Sequence, residues 1–162
     1  GALNLSSVLE NAMQRIGNCG QCRDYTESDI CEICANLKRD DSTLCVVESP
    51  SDIAAIEATA SYSGKYFVLM GSLSPLDGIG PEEIGLTLLQ TQVKARKVKE
   101  VIIATAATVE GEATAHYIKS MLGSGEDAPN VTRLAQGVPI GGELGYLDQS
   151  TLSLSLANRQ DL

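Results

Sequence analysis

The sequence predicts an α/β fold, a parallel sheet with flanking helices, preceded by one helix and a small four-cysteine finger. After residue 42, short β-branched apolar runs alternate with helical patterns in the order β-α-β-α-β-α-β; strands separated by helices of about ten or more residues require parallel crossovers and helical cover on both faces. Upstream, four cysteines stand as two CxxC pairs, Cys19/Cys22 and Cys31/Cys34, with eight residues between the pairs. Ahead of these, Leu5, Val8, Leu9, Ala12, Met13 and Ile16 recur at three- and four-residue spacing, the stripe of one amphipathic helix.

Each element has its own warrant. Ser6 or Asn4 is expected to cap the first helix. That helix must pack on the finger, on another subunit or on an N-terminal region outside this chain. Two CxxC knuckles this close place four thiolates around one Zn²⁺. Paired disulfides would need an oxidising compartment that nothing in the sequence indicates. Redox CxxC motifs come singly, at the start of a helix that follows a strand. With four sulfurs bound no position stays open for water, so the zinc is expected to be structural and to fold residues 17–39. Cys45, in an apolar run, reads as a small buried hydrophobe.

Strands are expected at residues 43–47, 65–70, 100–105 and 131–135, and helices at 51–59, 82–97 and 110–121. Pro81 followed by Glu82 and Glu83 predicts a helix start, with the proline at the first position and the carboxylates at the positive dipole end. The glycine-rich loop 71–80 sits where ligand loops of parallel sheets sit, but it does not spell GxGxxG. Two glutamates just beyond it would also repel a pyrophosphate, so a dinucleotide site is rejected. Residues 151–156 alternate leucine with polar residues, which by pattern predicts a strand.

Composition limits the function. The chain has 162 residues, 12 Lys+Arg and 21 Asp+Glu, a net charge of −9 and 43% hydrophobic residues. This fits one domain with a small appendage and excludes a generic polycation. No run of about 18 apolar residues exists to cross a bilayer, and the start lacks the layout of a secretory signal, so the expected location is the cytoplasm. With no Trp and a single Phe, the core must be largely aliphatic. His116 is the one histidine, so one chain can build neither a Ser/His/Asp set nor a histidine metal cluster.

Carboxylates mark the carboxyl ends of two strands. Glu48 closes Cys45-Val46-Val47-Glu48-Ser49-Pro50; Glu110 and Glu112 lie in Ala104-Thr105-Ala106-Ala107-Thr108-Val109-Glu110-Gly111-Glu112-Ala113. This pairing resembles the Toprim domain of type IA topoisomerases and bacterial primases. Three further features narrow the resemblance: the CxxC pairs upstream, the segment at 71–80, and Gly137-Val138-Pro139-Ile140-Gly141-Gly142-Glu143-Leu144. Together they make the chain similar to the RecR family of recombination mediators over residues 5–159.

The resemblance implies four parts. Residues 1–17 are a helix joined to a helix-hairpin-helix module not seen here, and 18–41 are the four-cysteine zinc finger. Residues 42–137 are the Toprim domain; 138–162 are a C-terminal segment with a helical tail, whose Leu152, Leu154 and Leu156 would meet a neighbouring subunit. It implies a non-enzymatic mediator of DNA repair, cytoplasmic and nucleoid-associated, acting with RecO and RecF to load recombinase onto single-stranded DNA at gaps. It also implies a homo-oligomer, a ring or a dimer. Toprim enzymes hold Mg²⁺ with one glutamate and an Asp-x-Asp pair. Glu48 matches the glutamate, but Ala106 and Thr108 stand at the aspartates. The family usually has Asn-Pro-Thr there, so Ala106-Ala107 departs from it as well. Glu48, Glu110 and Glu112 are therefore a candidate vestigial acidic site with weak Mg²⁺ binding at most, and Glu110 serves equally as a helix-start carboxylate. The alternative is a metal-dependent Toprim nuclease or topoisomerase-like enzyme; a zinc-stabilised scaffold unrelated to DNA would require chance matches.

Affinity for DNA must work against the net negative charge. Arg15, Arg23, Lys38 and Arg39, around the finger, are the candidate DNA contacts, with Tyr25 as the one aromatic among them. Lys94, Arg96, Lys97 and Lys99 read as a helix end answering its dipole. DNA binding by this fragment is expected to be weak.

Overall fold

The structure is a computed structural model that describes residues 1–160 and falls into two compact units, Gly1–Thr132 and a second beginning at Arg133. The last two residues of the expected 138–162 segment lie outside the described residues.

In the first unit α1 (Ala2–Arg15) leads to a two-stranded antiparallel ribbon, β1 (Gly17–Asn18) with β2 (Tyr25–Thr26), and to the one-turn α2 (Glu32–Ala35). The sheet follows: β3 (Asp40–Val47), α3 (Pro50–Glu57), β4 (Gly64–Val68), α4 (Leu86–Arg96), β5 (Glu100–Ala104), α5 (Val109–Leu122) and β6 (Asn130–Arg133). Its strand order is β4-β3-β5-β6, with β3 parallel to both β4 and β5.

Alternation along the strands sorts the core onto two faces. Leu44 and Val46 of β3, Phe67 of β4, and Val101 and Ile103 of β5 meet Leu86, Leu89 and Val93 of α4 and Ala115 and Ile118 of α5. Cys45, Val47, Tyr66 and Val68 point to the other face, where Ile53 of α3 and Ile33 of α2 cover them. Cys45 is buried as expected, and desolvation pushes its thiol up to about 12.

Two helix starts differ from the sequence expectation. The backbone carbonyl of Gly1 already accepts from Asn4 and Leu5, so α1 begins at Ala2 and both Asn4 and Ser6 lie inside it without capping it. Residues 81–85 form a turn, and α4 starts only at Leu86. Gly85 takes the left-handed conformation at φ +75°, and a Cβ there would collide with the guanidinium of Arg23; a non-glycine residue could not hold both the dihedral and the contact. Glu82 and Glu83 still serve the helix entrance, accepting from the Thr87 hydroxyl at 2.9 Å and the Gly80 amide at 2.9 Å. The other helices start by ordinary chemistry. Pro50 opens α3 after Ser49, whose amide donates to Asp52 Oδ2 at 2.8 Å, and Thr108 Oγ1 accepts from the Gly111 amide to cap α5.

No residue of α1 is buried; Leu3, Leu5, Leu9 and Met13 are exposed. In the second unit a short 3₁₀ turn, Leu144–Tyr146, precedes α6 (Gln149–Ala157). The period-two expectation for residues 151–156 is thus corrected to helix. Asp148 accounts for this: its carboxylate accepts from the Thr151 amide at 2.9 Å and the Thr151 hydroxyl at 2.6 Å, a local cap that overrides the alternation. Leu154 and Leu156 of α6 are exposed.

Candidate metal centre

The first CxxC is a closed knuckle between β1 and β2. Cys19 N–H donates to Asp24 O at 2.7 Å and Arg23 N–H to Cys19 O at 2.9 Å, with Arg23 itself at φ +68°. The second knuckle runs into α2, where Cys31 is the N-cap and its sulfur accepts from Cys34 N–H at 3.4 Å. A Gly20 N–H to Asp29 O bond at 2.9 Å joins the two loops. The four Sγ atoms lie within 4.8 Å of one another, all buried, and none is in a disulfide. A tetrahedron with Zn–S bonds of about 2.3 Å has edges of about 3.8 Å, so this thiol set fits one such ion. Cys19 Sγ also accepts from Cys31 N–H at 3.3 Å.

Sulfurs this close cannot all ionise without a cation between them. Burial pushes the Cys31 thiol up to about 11, while a hydrogen bond from Cys22 holds Cys34 down at about 6 and drives Cys22 upward. A dication removes that conflict. Among the described residues this is the set of three or more Cys, His, Asp or Glu whose ligand atoms converge.

Polar contacts lock the finger onto the sheet. The Val68 amide, on the outer edge of β4, donates to Cys22 O at 2.8 Å, so the knuckle covers what would otherwise be an open sheet edge. Lys65 is only 2% exposed, and its Nζ donates to the carbonyls of Ile33, Cys34 and Asn36 at 3.0, 2.9 and 2.8 Å. Its ammonium thus caps the carboxyl end of α2, the turn that carries Cys34. From α4, Gln92 Nε2 donates to Gln21 O at 2.6 Å and Arg96 Nη2 to Gln21 Oε1 at 2.7 Å. The sequence reading missed Lys65 and Gln92, and took Arg96 for a helix end answering its dipole where the structure sets it on Gln21. Lys65 left a signal, as a charge heading the apolar run Tyr66-Phe67-Val68.

The candidate DNA contacts divide. Arg15 and Lys38 are exposed, Arg15 in an exposed ion pair with Glu27 at 3.0 Å. Arg23 Nη1 donates to Leu69 O at 3.1 Å and Ile84 O at 2.6 Å, with the guanidinium over the Phe67 ring, and burial lowers its pKa. Arg39 forms a fork on Glu57, with bonds of 2.8 and 2.5 Å, and also reaches Gly64 O and Tyr62 O. Both guanidinia are thus turned to the fold rather than to solvent.

The Arg39 fork predicts a pH response. Its hydrogen bonds hold the Glu57 carboxyl below the usual carboxylate range. A folded-state pKa below the unfolded value gives stability that is present above about pH 4.5 and lost as pH falls through the lower, folded value. Urea midpoints measured from pH 7 to pH 3 are expected to drop less steeply for Glu57→Gln than for the parent chain. Equal slopes would show that the pair contributes nothing to acid sensitivity.

At the strand ends, Glu48 Oε1 accepts from the Ala106 amide at 3.1 Å. Glu110 is exposed and Glu112 half-buried on α5, and the three carboxylates do not converge as the cysteines do. The α5 entrance is tightly closed. A Cβ on Gly111 would collide with the Ala106 carbonyl oxygen, and Thr105 Oγ1 donates to Gly111 O at 3.0 Å. His116 is exposed on α5.

A parallel sheet with a glutamate closing its central strand, fronted by four convergent thiols, defines a Toprim protein with a cysteine finger. Comparison with known proteins agrees: a sequence profile of the Toprim domain matches residues 42–135, and one described as RecR, C-terminal matches residues 137–160. The protein named Recombination protein RecR from Xanthomonas oryzae pv. oryzae (strain MAFF 311018) is 54% identical over 162 residues, all of this chain and 81% of that protein. Its namesake from Xanthomonas campestris pv. campestris (strain 8004) is 53% identical over the same shares. The chain belongs to the RecR family.

Proposed function

We propose that the chain is a non-enzymatic mediator of recombinational DNA repair that helps load recombinase onto single-stranded DNA at gaps, together with RecO and RecF. The observation that carries this reading is the 54% identity, across all 162 residues, to a protein named Recombination protein RecR. The strand ends support the non-enzymatic part. Ala106 has no ligand atom on its side chain, and the Glu48 carboxylate is engaged with the Ala106 backbone amide, so the carboxylate set that positions Mg²⁺ in Toprim enzymes is incomplete.

Cys19, Cys22, Cys31 and Cys34 hold Zn²⁺ in this reading; the ion, when bound, supplies a cross-link between the two knuckles and no chemistry. Glu48, Glu110 and Glu112 keep weak Mg²⁺ affinity at most. Arg15, at the end of α1, and Lys38, in the finger, are exposed and are the proposed phosphate contacts; with a net charge of −9 DNA affinity is low and falls with salt. The exposed apolar residues of α1 and α6 suit contacts within a homo-oligomer, ring or dimer. The functional parts are 1–17, 18–41, 42–137 and 138–162, and the setting is the bacterial cytoplasm at the nucleoid.

The test is turnover on supercoiled and single-stranded DNA with Mg²⁺ or Mn²⁺, comparing the chain with Glu48→Gln, followed by RecO binding on single-stranded DNA coated by its binding protein. No turnover in either protein, together with RecO capture, is the expected result. Cleavage or relaxation that vanishes in Glu48→Gln would overturn the mediator reading.

A further inference from the structure

Helix α4 carries two polar atoms that are buried without a hydrogen-bond partner, Gln92 Oε1 and Arg96 Nη1. The two residues lie one helical turn apart and face the first CxxC loop, since both donate to Gln21, which stands between Cys19 and Cys22. A guanidinium 75 residues distant in sequence is thereby fixed on the first CxxC loop, through the residue between two of its cysteines, with a desolvated N–H to spare. Leaving such a group unpaired costs stability unless something answers its charge.

The centre provides that charge. Four thiolates around one dication carry a net charge of about −2, buried between the knuckles. Two other cations at the finger spend their donors on backbone carbonyls: Lys65 on those of Ile33, Cys34 and Asn36, and Arg23 on those of Leu69 and Ile84. Resting on the metal assignment above, we infer that Arg96 is the counter-charge of the tetrathiolate centre and slows loss of its metal, with Gln92 holding the knuckle carbonyl in register. Lys94 and Lys97 of the same basic run are exposed and give the matched control.

The experiment loads the full chain with Zn²⁺, measures zinc content, and follows zinc release to a chromogenic chelator alongside alkylation of the sulfurs by iodoacetamide. Arg96→Gln removes the charge and is expected to speed both reactions about tenfold, the usual scale for a residue behind the ligands. Arg96→Lys keeps the charge and Lys94→Gln leaves the centre untouched, so both should stay within about threefold of the parent. Gln21→Glu keeps the Arg96 contact, cancels its charge and disturbs no core residue; it is expected to match Arg96→Gln and decides the matter if Arg96→Gln fails to fold. Release at the parental rate from Gln21→Glu, or equal acceleration in Arg96→Lys and Arg96→Gln, overturns the counter-charge role and leaves Arg96 a strut. A parent chain that holds no zinc overturns this role and the metal assignment together, whereas a parent with one zinc and insensitive variants overturns this role alone.

Discussion

Replacing Cys31 with serine is expected to empty the metal centre and unfold the finger while the sheet persists. Cys31 is one of the four convergent sulfurs, caps α2, and through its amide bonds Cys19 Sγ. Among the described residues, the other hydrophobic side chains packed on this cluster are Ile30 and Ile33, too little apolar surface to order the segment unaided. Zinc binding by such knuckles is worth about 10 to 16 kcal/mol, so losing one ligand removes the main stabilising term of this segment. The larger core lies elsewhere, around Leu44, Phe67, Leu89 and Ile118, and should keep its helical and strand signal. Metal content below one ion per chain, with loss of amide protection at Val68, is the expected pair of readouts, because the Val68 partner is Cys22 O. The exposed β4 edge should then promote self-association, and chelation of the parent should reproduce all three effects. A Cys31→Ser protein with a full zinc equivalent and a protected Val68 would contradict this account.

The second large effect is expected at Lys65. Lys65→Met fills the space of the aliphatic stem but leaves the carbonyls of Ile33, Cys34 and Asn36 without their shared donor. Stranded buried acceptors cost about 1 to 3 kcal/mol each; because these bonds share one ammonium, the whole loss should be about 3 kcal/mol. For a chain of this size that is a fall in Tm of about 10 °C. Lys94→Met, on the exposed side of α4, should stay within about 0.5 kcal/mol of the parent. A melting point for Lys65→Met indistinguishable from that of Lys94→Met would show that the ammonium bonds add no net stability.

Much of the fold was legible because its signals are local. Thiol spacing alone marked the four residues that the structure brings within 4.8 Å. The continuous apolar run Leu44-Cys45-Val46-Val47 and the β-α order foretold a strand covered on both faces, which the structure bears out. Where a local rule failed, a specific competitor won. Gly85 and Arg23 moved the start of α4 from Pro81 to Leu86, and Asp148 turned an alternating leucine pattern into α6. The strand-end carboxylates were legible as a motif, but the bond between Glu48 and the Ala106 amide was not; it depends on β3 and β5 ending side by side.

By itself, then, the sequence determined the convergent four-cysteine set, the β/α order and the strand-end carboxylates, because each is written in short spacings and local patterns along the chain. Only the tertiary structure decided how the finger is fastened: Lys65 under α2, Arg23 against Leu69 and Ile84, Gln92 and Arg96 on Gln21, and the Val68 amide on Cys22. These partners are brought together by the crossover that carries α4 over the sheet and by the parallel pairing that makes β4 an edge. Contacts between residues 29 to 75 positions apart have no period in the chain, so their specificity arises only when the sheet closes.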